Sequence, residues 1–215
     1  MKLADAVGRN SLVLGLVALL ITLALAGTQL LTREQIAAQR RAAEARAYNE
    51  ILPPARYDNV LLDDFRLVDD RELLGLQQPR KALVARLGGE AQAVIVPATA
   101  PDGYGGAIEL IVGINADATV AGVRVVAHKE TPGLGDKIDA RKSRWIDAFA
   151  GRSLADPAPA QWAVQKDGGV FDQFTGATIT PRAVTAAVKR TLQYFEANRA
   201  ALLAPAATGS EARHE

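Results

Sequence analysis

The chain contains no cysteine, which excludes disulfides, thiol catalysis and cysteine-ligated iron–sulfur clusters. Histidine is nearly absent too. His128 and His214 are the two present, and His214 lies in a polar tail, so no metal site is assigned to histidines. Neither sign of charge is in excess: 25 Lys and Arg stand against 24 Asp and Glu, a net charge of +1. A nucleic-acid surface needs a concentrated basic patch, so no nucleic-acid partner is expected. No general acid, base or nucleophile set is apparent, and no catalytic residue is assigned. Redox chemistry in such a chain must be carried by an organic cofactor. Apolar residues, by contrast, make up 49% of the 215 positions, enough for the core of one domain plus an appendage.

The appendage is N-terminal. Residues 11–31 carry no charge, close to the length of about 20 residues that crosses a bilayer as a helix. Two readings are open. A cleavable signal peptide would end at the small-residue site Ala24-Leu25-Ala26; an uncleaved anchor would use the whole run. Because the run continues past Ala26, the anchor is favoured. Lys2 and Arg9 precede it and Arg33, Arg40, Arg41 and Arg46 follow it, so charge does not settle orientation. The expected division is a short cytoplasmic N-terminus at 1–10, a transmembrane anchor at 11–31, a solvated stalk helix at 32–54, a folded domain at 55–203 and a disordered tail at 204–215. Thr32, with Gln35 three residues on, is expected to cap the stalk helix, and Pro53-Pro54 to end it.

Within the domain, residues 81–87 and 91–96 flank Gly88-Gly89 and predict a hairpin. Ile108, Leu110, Val112 and Ile114 alternate, the chain turns at Asn115-Ala116-Asp117, and Val123 and Val125 continue the pattern on the return. That alternation predicts an antiparallel sheet covered on one face. Residues 139–149 read as a helix, with Trp145 more naturally core than cofactor contact, and 162–166 as a further strand. A helix over 180–203 is marked by Val184, Val188, Thr191, Leu192 and Phe195, with Thr180 as its cap and Pro181 at its first position. The fold class is α+β: an N-terminal transmembrane helix, then a single domain of twisted antiparallel sheet with packed helices.

Just before that last helix stands Asp172-Gln173-Phe174-Thr175-Gly176-Ala177-Thr178-Ile179-Thr180-Pro181. Two threonines and a small-residue turn thus lie at a helix N-terminus, where free N–H groups and the helix dipole favour a phosphate; an ordinary capped helix start is the plainer alternative. Upstream lie Lys166-Asp167-Gly168-Gly169, then His128-Lys129-Glu130-Thr131-Pro132-Gly133-Leu134-Gly135-Asp136-Lys137-Ile138, then Tyr104-Gly105-Gly106 leading into the alternating strand.

These four blocks, in this order, resemble the extracytoplasmic FMN-binding domain found in the G component of the Rnf electron-transport complex and in the C component of the sodium-translocating NADH:quinone reductase. The resemblance runs from the apolar segment to about Ala200. It implies that FMN is joined through its phosphate to Thr178, the last threonine of the motif, with Thr175, Gly176 and Ala177 shaping the turn. Glu130, Thr131, Gly133, Leu134 and Gly135 are candidate flavin contacts, the glycines permitting close backbone approach to a planar ring. Lys137 either faces the flavin or is surface charge. Asp172 either serves recognition by the attaching enzyme or caps the turn.

The implied function is electron relay by covalent FMN in a membrane-bound, ion-translocating ferredoxin:NAD oxidoreductase, the oxidoreductase activity belonging to the complex. Its expected partners are the other subunits, a flavin transferase and membrane lipid. The expected location is the bacterial inner membrane, single-pass, with the FMN domain on the periplasmic side; the absence of cysteine permits that side without requiring it. Membership of the quinone reductase as its C component and a non-redox scaffold anchored in the membrane are the alternatives. The chain's shortness favours the Rnf component over the quinone reductase one.

Overall fold

The computed structural model describes residues 2–205, so most of the expected tail, residues 206–215, lies outside the described residues. The chain divides into two compact units, residues 1–45 and 46–215. One helix, α1 (Lys2–Ile51), is continuous over 50 residues. No new helix opens at Thr32. Its hydroxyl instead donates 2.7 Å to the carbonyl of Thr28, one turn back, because the alanine- and glutamine-rich residues that follow are strong helix formers and nothing interrupts the backbone before Pro53. Within the first unit, Leu14–Arg33 has a mean hydropathy of 2.2, and none of its described side chains is buried. At about 1.5 Å per residue it is long and apolar enough to cross a membrane.

The second unit is built on a five-stranded antiparallel meander in the order β1-β2-β3-β4-β5. Its strands are β1 (Phe65–Val68), β2 (Arg80–Leu87), β3 (Glu90–Ala100), β4 (Ile108–Asn115) and β5 (Val120–Ala127). Gly88-Gly89 makes the predicted hairpin, and the alternating residues of β4 pair in register, Val112 facing Val96 on one side and Val123 on the other. The last helix, α2 (Ile179–Leu203), lies against β3 and β4. Its Val184, Ala187, Val188, Leu192 and Phe195 are essentially inaccessible and join Val94, Val96, Leu110 and Val112 in the main core. Each such aliphatic or aromatic side chain contributes about 1.5–3 kcal/mol on burial.

Three expectations need correction. The sheet is covered on both faces, not one: Ile51, Leu52 and Leu61 form a second core with Leu83, Ala85, Ala93, Ile95 and Ile111. Residues 139–149 are not an α-helix. The Asp139 carboxylate takes the N–H and guanidinium of Arg141, and Ser143 Oγ takes the N–H of Trp145. Such local bonds compete with helix propagation, and only the short 3₁₀ turns Gly135–Ile138 and Trp145–Phe149 form. Residues 162–166 are likewise no strand. Val164 makes an isolated bridge to Phe171, and Gly168 turns the chain back so that the Gly169 N–H meets the Val164 carbonyl at 3.0 Å.

Candidate functional site

The segment between β5 and α2 is irregular, and it builds the site. An aromatic cluster holds the motif in place. Trp145 packs edge-on against Phe149 at 5.3 Å and against Phe174 at 5.2 Å, and Phe149 stacks on Phe171 at 4.5 Å. Trp145 is buried as expected of a core residue, and it also holds the motif: its indole N–H donates 2.8 Å to the carbonyl of Asp172. Lys137 stands over the face of Phe174 with its ammonium 6.0 Å from the ring centre.

From this cluster Phe174-Thr175-Gly176-Ala177 leads off as a tight turn closed by the Ala177 N–H to the Phe174 carbonyl at 3.1 Å. Gly176 is its third residue, with φ of 82°. That left-handed value is open to glycine and strained for other residues. The buried Phe174 ring anchors the turn from below, so Thr175 and Gly176 are left exposed and Thr178 half-buried.

Thr178 is the residue before α2, with no side-chain capping bond. Thr180, expected as the cap, is instead the second residue of the helix; its hydroxyl donates to Glu130. Pro181 accordingly sits in the first turn but not at its first position. Among the described residues, no acceptor is bonded to the N–H groups of Ile179 and Thr180, the donors that a helix start offers to an anion. Arg182, one turn beyond Thr178, is held in a two-pronged pair by Asp167 at 2.5 and 2.6 Å. The guanidinium holds the Asp167 carboxyl below the usual carboxylate range. The Lys166-Asp167-Gly168-Gly169 block therefore makes a turn and fixes an arginine beside the motif.

The loop from Thr131 to Asp136 folds over from the other side. Asp136, buried, accepts the Gly133 N–H at 2.8 Å, and the Leu134 N–H reaches the Thr131 carbonyl at 3.1 Å. Between this loop and the start of α2 lies a cavity of about 520 Å³, within the range of small-molecule sites, about 300–1,000 Å³. Glu130, Thr131, Leu134, Gly135, Gly176, Ala177 and Thr178 line it, so seven of the nine residues marked by the sequence converge on one space. Thr175 and Gly133 do not line it; both are exposed. Tyr104, Ile179, Thr180 and Arg182 complete the wall. The sequence offered no assignment for Ile179 and Arg182. The signal for Arg182 was its place four residues after Thr178 on a helix, which brings the two to one face.

Leu134, Ile179 and Tyr104 keep substantial exposure at this wall, and Thr131, Thr178 and Arg182 add polar residues to it. The donor set suits a molecule with one planar apolar end and one phosphate. The residues present thus fit FMN.

Comparison with known proteins decides the family. A model of the FMN-binding domain matches residues 103–193, and a model of the RnfG N-terminal region matches residues 1–51. The chain is 57% identical to the G component of the ion-translocating oxidoreductase complex of Pseudomonas aeruginosa (strain UCBPP-PA14) over 197 residues, 92% of each chain. It is 49% identical over 195 residues to the component of the same name from Shewanella loihica, covering 91% of this chain and 92% of the relative. For Vibrio atlanticus the identity is 48% over 200 residues, covering 93% and 95%.

The chain belongs to the family of G components of ion-translocating oxidoreductase complexes. Of the memberships left open by the motifs, the relatives carry the name of this one. The FMN-binding match begins at Gly103, just ahead of Tyr104, and ends within α2, so it spans every residue that lines the cavity.

Proposed function

We propose that this chain is an electron-relay subunit of a membrane-bound, Rnf-type ion-translocating oxidoreductase complex, with FMN joined through its phosphate to Thr178. The observation that carries the reading is the convergence of the motif turn and the 130–135 loop on one cavity, with Thr178 in its wall.

Attachment is a phosphoryl-type transfer. The Thr178 oxygen forms a bond to phosphorus, the hydroxyl proton leaves to a base of the transferase, and the phosphoanhydride bond of an activated flavin donor breaks. A flavin dinucleotide is the fitting donor class, with a nucleoside monophosphate as leaving group. The free N–H groups of Ile179 and Thr180 and the positive end of α2 favour the phosphate, and Arg182 supplies a cation one turn away. When bound, FMN supplies reversible electron transfer. Thr131 and Leu134 bound the space on the loop side, and the open rim at Tyr104 and Ile179 leaves an approach for partner cofactors.

Residues 11–31 act as the anchor, in contact with membrane lipid. The domain stands on the periplasmic side of the inner membrane, where covalent attachment keeps the flavin from being lost. The other subunits of the complex donate and accept the electrons.

The deciding experiment is expression of the full chain with a flavin transferase. Flavin should survive denaturation as in-gel fluorescence and be absent from Thr178→Val. A chain that never acquires covalent flavin would stand as a non-redox scaffold. Side is tested by a reporter active only in the periplasm, fused after Glu215; activity of a cytoplasm-only reporter there would overturn the orientation.

A further inference from the structure

Glu130 is 4% exposed and Thr180 fully buried. One carboxylate oxygen of Glu130 accepts the Gly105 N–H at 2.8 Å. The other accepts the Thr180 hydroxyl in a short bond. The Glu130 N–H is itself fixed, donating 3.1 Å to His128 Nδ1. One side chain therefore ties three stretches that are far apart in sequence: the 104–106 turn, the 130–135 loop and the first turn of α2.

Two glycines make room for it. A Cβ on Gly135 would stand 2.7 Å from the Glu130 carboxylate and 2.8 Å from the Thr180 hydroxyl, and one on Gly105 would stand 2.0 Å from the Lys129 carbonyl. The sequence pattern assigns Gly135 to close approach of a flavin ring. The structure gives its missing side chain a nearer use, as space for the Glu130–Thr180 pair. Gly133 differs, with a φ of 78° and nothing within 4 Å of a Cβ.

We infer that Glu130 is a positioning residue for flavin attachment: through Thr180 it fixes the first turn of α2 and so presents the Thr178 hydroxyl in the geometry the transferase requires. This rests on the reading that Thr178 is the attachment site. Glu130 does not touch the Thr178 hydroxyl and acts on it only through the helix start. Both oxygens of the buried Glu130 carboxyl group are engaged, and removing the Thr180 hydroxyl leaves one of them without that partner where water does not replace it. The link is therefore stiff, and its loss frees the turn that carries Thr178.

The test is the initial rate of flavin attachment to the purified full-length chain by a flavin transferase with flavin dinucleotide, read as in-gel fluorescence. Thr180→Val, nearly isosteric, should lower the rate about tenfold. Thr180→Ser, which keeps the hydroxyl, should stay near wild type. Gly135→Ala should resemble Thr180→Val, whereas Glu130→Ala should fall at least as far. Leu192→Ala, a core truncation remote from the site, calibrates the effect of lost stability alone.

Slow attachment in Thr180→Val with rescue in Thr180→Ser, at a stability no lower than that of Leu192→Ala, supports the inference. Unchanged rates in Thr180→Val and Glu130→Ala overturn it, as does a loss in Leu192→Ala just as large. If Glu130→Ala does not fold, the two Thr180 variants decide. Attached flavin in Thr178→Val overturns the underlying reading instead, and is visible independently of any rate.

Discussion

The two ends of α2 satisfy their backbone groups in opposite ways. At the C-terminal end the chain supplies its own partners. Arg86, buried, donates to the Asp64 carboxylate at 2.6 Å and to the Ala204 carbonyl at 2.5 Å. Arg66 pairs with the same carboxylate at 3.1 Å and donates to the carbonyls of Ala204 and Pro205 at 2.6 and 3.1 Å. Cations there oppose the negative end of the helix dipole. At the N-terminal end Thr178 makes no capping bond, the N–H groups of Ile179 and Thr180 have no acceptor among the described residues, and both residues line a cavity. One end is closed for stability. The other leaves two N–H donors without a partner among the described residues and is tied from the side by Glu130 through Thr180 and by Asp167 through Arg182. A helix whose free end is tethered from the side and not capped can hold a modifiable residue in place while leaving its hydroxyl accessible.

The contrast can be broken at either end. The largest effect is expected at the open end. Thr178→Val should abolish covalent flavin while leaving thermal unfolding of the flavin-free chain within about 0.5 kcal/mol of wild type; Thr178→Ser should retain flavin. At the closed end, Arg86→Met leaves Asp64 with Arg66 alone. It should cost about 3 kcal/mol in denaturant unfolding while the chain that remains folded still accepts flavin. A loss of attachment in folded Arg86→Met would show the ends to be coupled. Between the ends, the Thr185 hydroxyl is buried without a hydrogen-bond partner among the described residues. Thr185→Val should therefore stabilise by about 1 kcal/mol, measured as a rise in denaturation midpoint at unchanged slope.

The smallest effect is in the acid limb. The Arg141 guanidinium, despite partial burial, holds the Asp139 carboxyl below its usual value. The folded state thus binds fewer protons than the unfolded one. Stability from this group is full above the ordinary aspartate range and is lost as pH falls through the lower folded pKa. Arg141 is largely exposed, so the contribution should be about a few tenths of a kcal/mol. Asp139→Asn should flatten that part of an unfolding-versus-pH curve and leave the neutral region parallel to wild type.

Where side chains alternate in a long strand, the sequence showed the fold plainly. Strands β4 and β5 and the buried stripe of α2 follow from Ile108 to Ile114, with Val123 and Val125, and from Val184 to Phe195 by period alone, and β2 and β3 from the apolar runs that flank Gly88-Gly89. Strand β1 was not legible, being four residues long with Arg66 in its middle. The 139–149 stretch misled because Trp145, Ile146 and Phe149 share a spacing that a 3₁₀ turn and an α-helix both accept. The second face of the sheet was hidden because its cover, Ile51 and Leu52, lies at the end of a helix that reads as a stalk. At the site, the motif blocks marked most of the cavity wall. The Thr180 hydroxyl was assigned to its own helix because its real partner, Glu130, lies 50 residues away, beyond the reach of any local pattern. Arg182 had a local signal, its spacing of four residues from Thr178, but the Asp167 pair that fixes it forms only on folding.

Peptide mapping of the flavinylated chain tests the attachment most directly. Trypsin should release residues 167–182 as one peptide, which holds Thr175, Thr178 and Thr180. Fragmentation should place the mass of FMN less one water on Thr178 alone. Flavin on Thr175 or Thr180, or a peptide without flavin from protein that stays yellow after denaturation, would contradict the assignment of the open end of α2 as the attachment site.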